Sequence, residues 1–307
     1  MNQRPVLKLG GLLLTATLAV AACGARSNGT ADGSAAADKV VKIGMVGPIT
    51  GEISAFGLGI RNSVQLEVQQ ANAAHAIPGW RIEVDAEDDQ AQPDVGKNVA
   101  TKFASDPDLA AVVGPYNTGV SQQMQSVFAA QHIAQVSPGN TGPALSMGPK
   151  WQTAPKRQYD TYFRTCTTDA VQGPFAAQYI KLAGPASSND LATSIGAPVE
   201  KLPSAKQFVA DYAKAGFKDP MSPYGGTAYD AANAIIDALK TTLKAADSVE
   251  SARQATVDAI GKSSFEGVTG HVGFDRFGDT TTRVLTMNTV AGNRWVAQQT
   301  KDFGPAK

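Results

Sequence analysis

Strands and helices alternate strictly through the first half of the chain, and this order constrains the fold more than any other feature. Segments 40–47 (VVKIGMVG), 80–89 (WRIEVDAEDD) and 109–114 (LAAVVG) have the β-branched or alternating apolar pattern of strands. Segments 60–74 and 92–105 place apolar residues at helical spacing between them. A β-α-β-α order with short connections predicts an α/β fold with a doubly wound parallel sheet.

The rest of the chain continues with the same kinds of segment. Strands are predicted at 132–140, 161–167 and 190–198, and the sequence of the C-terminal part predicts a β-hairpin with its turn at Gly-Asn-Arg. Helices are predicted from the spacing of apolar residues at 119–131, 169–183, 203–216 and 227–246.

The N-terminus has the features of an export signal. Arg4 and Lys8 precede an uncharged apolar run, Leu9–Ala22, which is too short to span a bilayer. Small residues then lead into Cys23, as in bacterial lipoprotein signals, where the cysteine is acylated. We therefore predict a signal peptide at 1–22, a lipid anchor on Cys23 and a flexible tether at 23–39. An ordinary cleaved signal with an incidental cysteine is the alternative.

Composition excludes one large class of partner. The chain is 43% hydrophobic and 18% charged, with a formal net charge of zero. It has no basic cluster with interleaved aromatic residues, so nucleic acid is not an expected partner. If Cys23 is acylated, Cys166 is left as a lone thiol in an exported chain. We expect Cys166 to be a small buried residue at a strand end.

Three polar loops follow predicted strands, and ligands of open α/β sheets bind at that edge. They are 47–59 (GPITGEISAFGLG), 114–121 (GPYNTGVS) and 137–144 (SPGNTGPA). The second leads into a helix whose free N–H groups would attract a carboxylate. Together the loops offer donors and acceptors without charge, which suits a zwitterion better than a polyphosphate. Taken singly, each loop could be an ordinary turn, since such residues are common in turns.

Motifs that would indicate an enzyme are incomplete in this sequence. Val120 stands where a phosphate-binding loop needs lysine, and Gly57 and Gly59 lack the third glycine of a dinucleotide fingerprint. The three histidines have no metal-ligand spacing, and no nucleophile–base pair supports the alternative of a hydrolase on this fold. Asp88 and Asp89 could act as acids, although solvated turn carboxylates are more common. We therefore predict no enzymatic activity, cofactor or metal.

The three loops, with segments 88–103 (DDQAQPDVGKNVATKF) and 163–180 (FRTCTTDAVQGPFAAQYI), resemble in order one family. It is the branched-chain amino-acid (Leu/Ile/Val) binding proteins of ATP-driven importers, which have the type I periplasmic-binding-protein fold. The resemblance implies two lobes that close on an amino acid, an extracytoplasmic location and permease subunits as partners. A membrane-tethered interaction module derived from this family is the alternative.

The resemblance also assigns site residues. Thr118 matches the hydroxyl that binds the ligand carboxylate, and Gly139 matches the residue whose carbonyl accepts the ammonium. Thr141 matches a hydroxyl that contacts both groups. Phe56 matches an aromatic residue that packs on the aliphatic side chain. Three residues flank these positions: Tyr116, Asn117 and Asn140.

One departure from the family puts binding in doubt. In the family, several β-α units follow the helix that matches 169–183, whereas here the strand at 190–198 follows about ten residues after Ile180. The resemblance therefore implies a complete first lobe (40–165 and 200–262), with the remnant of a truncated second lobe and the hinge at 166–199 and 263–307. The joint at 184–188 (GPASS) is interpreted as a deletion junction. A natural deletion and an error in the gene model would both produce it.

The missing units normally supply an acidic residue and aromatic walls to the pocket. The sequence therefore predicts an open, wet site in which the ammonium meets neutral acceptors, and weak binding or none. Calorimetric binding of leucine, isoleucine or valine at micromolar or tighter affinity would contradict this prediction. A lobe reduced to one helix and a hairpin should also be the least stable part of the protein.

Overall fold

The computed structural model describes residues 38–183, 191–291 and 294–304. The predicted signal peptide, Cys23, residues 23–37 of the predicted tether and the proposed deletion junction at 184–188 lie outside the described residues. Gly292 and Asn293 of the predicted hairpin turn also lie outside them.

Strands in the described residues form three sheets, and most helices pack on the largest of these. The strands are β1 (Lys39–Gly47), β2 (Trp80–Asp88), β3 (Leu109–Val113), β4 (Ala134–Ser137), β5 (Tyr162–Arg164), β6 (Leu191–Ile195), β7 (Ser264–Gly267), β8 (Gly270–Gly273), β9 (Val284–Ala291) and β10 (Arg294–Asp302). The helices are α1 (Ser54–Ala73), α2 (Pro93–Ala104), α3 (Thr118–Ala130), α4 (Ala144–Met147), α5 (Asp169–Ala183), α6 (Lys206–Lys214), α7 (Gly225–Thr242) and α8 (Val249–Ile260).

The first sheet is parallel throughout, as the alternating sequence pattern predicted. Its order is β2-β1-β3-β4-β5, so the strands that precede two of the polar loops, β3 and β4, are neighbours. Parallel neighbours place their carboxyl ends at one edge of the sheet. The loops after β3 and β4 therefore meet there.

Helices cover both faces of this sheet, so β1 and β3 are buried on both sides. Val41, Ile43 and Met45 of β1 face α1, α7 and α8 and are fully buried. Val112 of β3 and Phe103 of α2 belong to the core on the opposite face, which α2 and α3 cover. Burial of each large apolar side chain stabilises the fold by about 1.5–3 kcal/mol. This doubly wound body contains most of the hydrophobic core in the described residues.

The second sheet is small and antiparallel, with the order β10-β9-β6. Helix α5 covers one face, where Phe175 packs against Leu285 and Met287. The helix and the β9–β10 pair lie in the segments assigned to the second lobe from the sequence, whereas β7 and β8, assigned to the same lobe, form a separate two-stranded sheet. Strand β6 adds an antiparallel third strand to the β9–β10 pair. We refer to α5 with this sheet as the small unit and to the remaining described residues as the large unit.

Candidate functional site

A cavity of about 470 Å³ lies at the carboxyl ends of β3 and β4, between the large and small units. Its walls combine loop residues of the first sheet with residues of α5 and β6. The lining residues are Phe56, Tyr116, Asn117, Thr118, Gly139, Thr141, Asp169, Gln172, Thr193, Ser194, Ile195, Pro223 and Tyr224. Six of the seven ligand-binding residues predicted from the sequence are among them.

Helix α3 presents its N-terminus to this cavity. Asn117 is extended, and its side chain does not cap the helix. The Ser121 N–H donates to the Asn117 carbonyl at 3.1 Å, so the N–H groups before it have no partner within the helix. Thr118 Oγ1 accepts a hydrogen bond from the Gly142 N–H at 3.3 Å, which leaves its own O–H free to donate. These groups suit a bound carboxylate.

The loop after β4 is held in a fixed shape beside α3. Ser137 Oγ accepts hydrogen bonds from the N–H groups of Gly139 and Asn140, at 3.3 and 3.0 Å. Glycine is required at position 139, because a Cβ there would lie 2.8 Å from the Tyr116 ring. The Thr141 carbonyl accepts a hydrogen bond from the Asp169 N–H at 2.9 Å. That bond connects the loop to the first residue of α5.

Asn140 lies behind the cavity wall. Its side chain is fully buried, donates to the Tyr116 carbonyl at 2.8 Å and accepts from the Tyr162 hydroxyl at 3.3 Å. With its amide engaged in this way, Asn140 supports the two loops that line the cavity.

Arg164, which was not predicted from the sequence, holds the same loop in place from the protein interior. The guanidinium of Arg164 is fully buried and donates to the carbonyls of Asn140 and Gly142, at 2.8 and 3.0 Å. These are the two residues on either side of Thr141. Arg164 Nε pairs with Asp279 Oδ1 at 2.6 Å. No local sequence signal marks this pair, because its members lie far apart in the chain.

Three aromatic rings form one wall of the cavity. Phe56 and Tyr116 stack with ring centroids 5.2 Å apart, and Tyr224 meets both rings edge-on. The Tyr116 hydroxyl donates to the Tyr224 hydroxyl at 3.4 Å. Burial raises the pKa of Tyr224, so its hydroxyl stays neutral. Tyr224 was missed from the sequence, although its Tyr-Gly-Gly segment directly precedes a predicted buried helix.

The small unit supplies the opposite wall. Asp169 and Gln172 come from α5, and Thr193 and Ile195 come from β6. Gln172 donates to the Thr193 hydroxyl, which links the two elements. Among the described residues that line the cavity, Asp169 is the only charged one. The sequence predicted an open site with neutral acceptors for the ammonium. In the structure the small unit adds a second wall to this site, and the lining includes one carboxylate.

A larger groove of about 660 Å³ adjoins the cavity and shares Thr193, Ser194, Ile195 and Pro223 with it. It runs along the face of the second sheet that α5 does not cover. Trp295, 58% exposed, and Asn288 lie on this side of the groove, and Val199 and Met221 are among the residues opposite. The groove extends the space available to a ligand seated in the cavity.

The remaining candidate groups belong to the framework. The Cys166 thiol is buried, donates to the Asn140 carbonyl at 3.2 Å and has its pKa raised to about 12 by burial, in agreement with the buried role expected for it. Asp89 is fully buried, contrary to the expected solvated turn, because its loop folds back on Gly47. Within residues 38–183, 191–291 and 294–304, no cluster of three potential metal ligands is found. No helix in these ranges is long and apolar enough to span a membrane.

Comparisons with known proteins extend this description. The family model of the periplasmic binding proteins matches residues 40–188. The Leu/Ile/Val-binding protein homolog 1 of Brucella abortus is 36% identical over 148 residues. The Leu/Ile/Val-binding protein BraC3 of Rhizobium johnstonii is 31% identical over 140 residues. The first match covers 48% of this chain and 37% of the relative, and the second covers 46% and 35%. The matched segment thus spans little more than a third of these relatives.

Solved structures resemble the chain over a wider range. The branched-chain amino acid transporter substrate-binding protein LivJ of Streptococcus pneumoniae, in complex with isoleucine, superposes with a TM-score of 0.70 at 18% identity. That superposition covers 87% of this chain and 100% of LivJ. A solute-binding protein from R. palustris in complex with benzoate has a TM-score of 0.65 at 14% identity, covering 87% and 97%. Residues 40–188, just under half of the chain, are thus similar to the periplasmic binding proteins, and the chain has the type I periplasmic-binding-protein fold of its structural neighbours.

Proposed function

We propose that this chain is an extracytoplasmic solute-binding protein of an ABC importer and that it binds a branched-chain amino acid in the cavity between its two units. One observation carries the proposal. The N-terminus of α3 with Thr118, the loop with Gly139 and Thr141, and the aromatic wall all face one cavity. That arrangement offers a separate place to each of the three parts of such an amino acid.

The ligand carboxylate would lie at the N-terminus of α3. There it would accept hydrogen bonds from free backbone N–H groups and from the Thr118 hydroxyl. The ammonium would lie beside the Gly139 carbonyl and the Thr141 hydroxyl, acceptors that belong to one loop of the cavity lining. An aliphatic side chain would pack against the rings of Phe56, Tyr116 and Tyr224.

The curated relatives are named as Leu/Ile/Val-binding proteins, which supports this ligand class. The structural neighbours include complexes with isoleucine and with benzoate, so a carboxylate is common to both kinds of ligand. Because the small unit offers only α5 and β6 as a wall, we expect binding to be weak. A Kd between about 10 µM and about 1 mM corresponds to such a partly enclosed site.

The N-terminal features complete the proposal. A lipid on Cys23 and the tether that follows it would hold the binding unit at the outer face of the membrane, near the permease. If the chain is instead a tethered interaction module, it will not engage permease subunits. Co-purification of the permease subunits with the tagged full chain supports the transport role, and their absence under leucine saturation contradicts it.

Calorimetric titration of the full chain with leucine, isoleucine and valine tests the binding proposal. Thr118→Val removes one hydroxyl and should weaken leucine binding about tenfold or more, since hydrogen bonds to charged groups contribute about 1.5–3 kcal/mol. Thr101→Val is the matched control, because Thr101 is exposed on α2 and bonds only to its own helix at Lys97. The proposal would be contradicted if none of the three amino acids bound, or if Thr118→Val bound leucine as tightly as Thr101→Val.

A further inference from the structure

We infer that the cavity and the adjoining groove together bind a short peptide, whose C-terminal carboxylate lies at α3 and whose main chain pairs with the outer edge of β6. This peptide inference rests on the proposed function in one respect, the position of the carboxylate at α3. It extends the ligand from one amino acid to an extended chain, which is recognised by main-chain hydrogen bonds at a sheet edge.

Strand β6 lies at the edge of its sheet. Its partner among the described strands is β9, so no described strand pairs with its other edge. All five residues of β6 are half-buried, without the alternation of buried and exposed positions that a strand with one covered face shows. The outer edge of β6 is therefore open to a further strand.

The hydrogen-bond register shows which groups of β6 face this edge. The Gly196 N–H donates to the Val284 carbonyl at 2.8 Å, so these two residues form a hydrogen-bonded pair of the antiparallel ladder. Such pairs alternate along a strand, so Ser194 also faces β9, whereas Thr193 and Ile195 direct their N–H and C=O groups to the outer edge. Within the described residues, these groups of Thr193 and Ile195 have no backbone partner there.

The groove reaches this edge. Side chains of successive strand residues point to opposite faces of a sheet, so a site on one face alone is lined by alternate residues. The groove is lined by the successive residues Ala192, Thr193, Ser194 and Ile195. It therefore opens along the backbone edge of β6 as well as over the sheet face that carries Trp295.

The cavity and the groove meet at the same edge. Thr193, Ser194 and Ile195 line both spaces, and Thr118 at the N-terminus of α3 lines the cavity. A carboxylate at α3 and a main chain on β6 can therefore belong to one ligand. A single amino acid at α3 leaves the groove unfilled, whereas a peptide occupies both spaces.

Side chains along the groove suit an apolar peptide without net charge. Val199 and Met221 lie on the side of the large unit, and Trp295 lies on the sheet. Glu200 and Lys201 are the charged residues among the described lining residues, and their charges are opposite. An extended peptide directs alternate side chains to opposite sides, so it can contact both walls.

Calorimetry on the full chain compares the peptide Ala-Ala-Val-Leu with N-acetyl-leucine. Both ligands have the carboxylate, the leucine side chain and an amide in place of the ammonium, but only the peptide is long enough to extend along β6. The peptide should bind about tenfold or more tightly, as expected for two main-chain hydrogen bonds. Equal affinities would overturn the peptide inference.

Methylation of single peptide nitrogens tests the strand pairing without altering the protein. Successive N–H groups of an extended chain point to opposite sides, so only one of the valine and the second alanine can donate to β6. One of these two methylated peptides should bind about fivefold or more weakly than the parent peptide, and the other should bind about as tightly. If both methylated peptides bind alike, the main chain does not pair with β6.

Thr193→Pro removes the matching donor from the protein, since proline is tolerated where the N–H of an edge strand faces outward. Thr193→Ala is the matched control, because it also removes the hydroxyl that accepts from Gln172 but keeps the N–H. The proline variant should bind the peptide about fivefold more weakly than the alanine variant. Equal affinities of the two variants contradict the inference, and the methylated peptides decide if the proline variant does not fold.

Titration with free leucine separates the peptide inference from the proposed function. If leucine binds and the peptide binds no more tightly than N-acetyl-leucine, the inference is overturned and the proposed function stands. If the peptide binds and leucine does not, the inference stands and the proposed ligand is wrong. Binding of no ligand refutes both. A dimer that excludes the peptide in analytical ultracentrifugation would show that a second copy covers the β6 edge, and would overturn the inference.

Discussion

Arg164 Nε lies 2.6 Å from Asp279 Oδ1, and the guanidinium of this pair is fully buried beneath the loop that carries Thr141. Because Arg164 also donates to the carbonyls on both sides of Thr141, the ion pair sets the shape of the proposed binding loop. Stability and ligand binding should therefore both depend on it.

Asp279→Asn should destabilise the protein by about 3 kcal/mol or more, because it leaves a buried guanidinium without its counter-charge. Urea denaturation followed by circular dichroism measures the loss. Asp237→Asn is the matched control, since it breaks the exposed pair between Lys240 and Asp237, for which we expect about 0.5 kcal/mol or less. Equal losses in the two variants would show that the buried pair has no special role.

Gly139→Ala should abolish or strongly weaken leucine binding with little change in overall fold. The added Cβ would lie 2.8 Å from Tyr116 and 3.5 Å from Tyr224, so the loop or the rings must move. Gly261→Ala is the matched control, because its Cβ would find its nearest neighbour, Phe163, at 3.5 Å, and Gly261 follows α8 and does not line the cavity. Calorimetric titration of both variants checks the prediction, and normal binding by Gly139→Ala would refute the assigned loop geometry.

Asp89 should make stability depend on pH. Burial raises its pKa to about 6, and Asp88 beside it acts in the same direction. Asp89 Oδ2 has no hydrogen-bond partner within the described residues. The folded state holds the proton of the Asp89 carboxyl more tightly than the unfolded state does. Protonation of Asp89 therefore stabilises the folded protein, and this stabilisation is complete below a pH of about 4. It is lost as pH rises to about 6, and amounts to about 3 kcal/mol.

Asp89→Asn should remove this dependence and should be more stable than the wild type above pH of about 6. Unfolding free energies measured at several pH values for both proteins give the difference. Other carboxyl groups cancel in that difference, because they are present in both proteins. A difference that stays constant between about pH 4 and 7 would contradict the assignment.

Much of the large unit could be predicted from the sequence because its elements are defined by local patterns. Strand β3 is a fully apolar segment, and β1 is apolar apart from Lys39 and Lys42. In the small unit, α5 likewise begins and ends at the predicted residues Asp169 and Ala183. The loops at the sheet edge converge because parallel topology requires it. Six of the seven predicted ligand-binding residues therefore line one cavity.

The features that could not be predicted arise from contacts between distant parts of the chain. The Arg164–Asp279 pair joins residues 115 positions apart, and Tyr224 reaches the site from the start of α7. Asp169 lies in segment 163–180, which carries the family resemblance, but its place in the cavity wall depends on how α5 packs beside the Thr141 loop. The family resemblance marks the small unit only as the remnant of a larger lobe, so its contribution to the cavity wall was not predicted.

The small unit should be less stable than the large unit. Its sheet has three strands and a buried core of only Phe175, Leu285 and Met287 in the described residues, with further partly buried neighbours. Amide hydrogens of β9 should therefore exchange faster than those of β3, through local unfolding at lower free energy. Hydrogen exchange read by mass spectrometry of peptides checks this, and equal protection of β3 and β9 would refute it.

The central claim is that the ligand binds between the two units, and hydrogen exchange with and without saturating leucine tests it most directly. We predict that leucine slows exchange at the start of α3, around Thr118, and in the small unit, at the start of α5 and in β6. Protection confined to the large unit would contradict the claim, and so would an exchange pattern that leucine leaves unchanged.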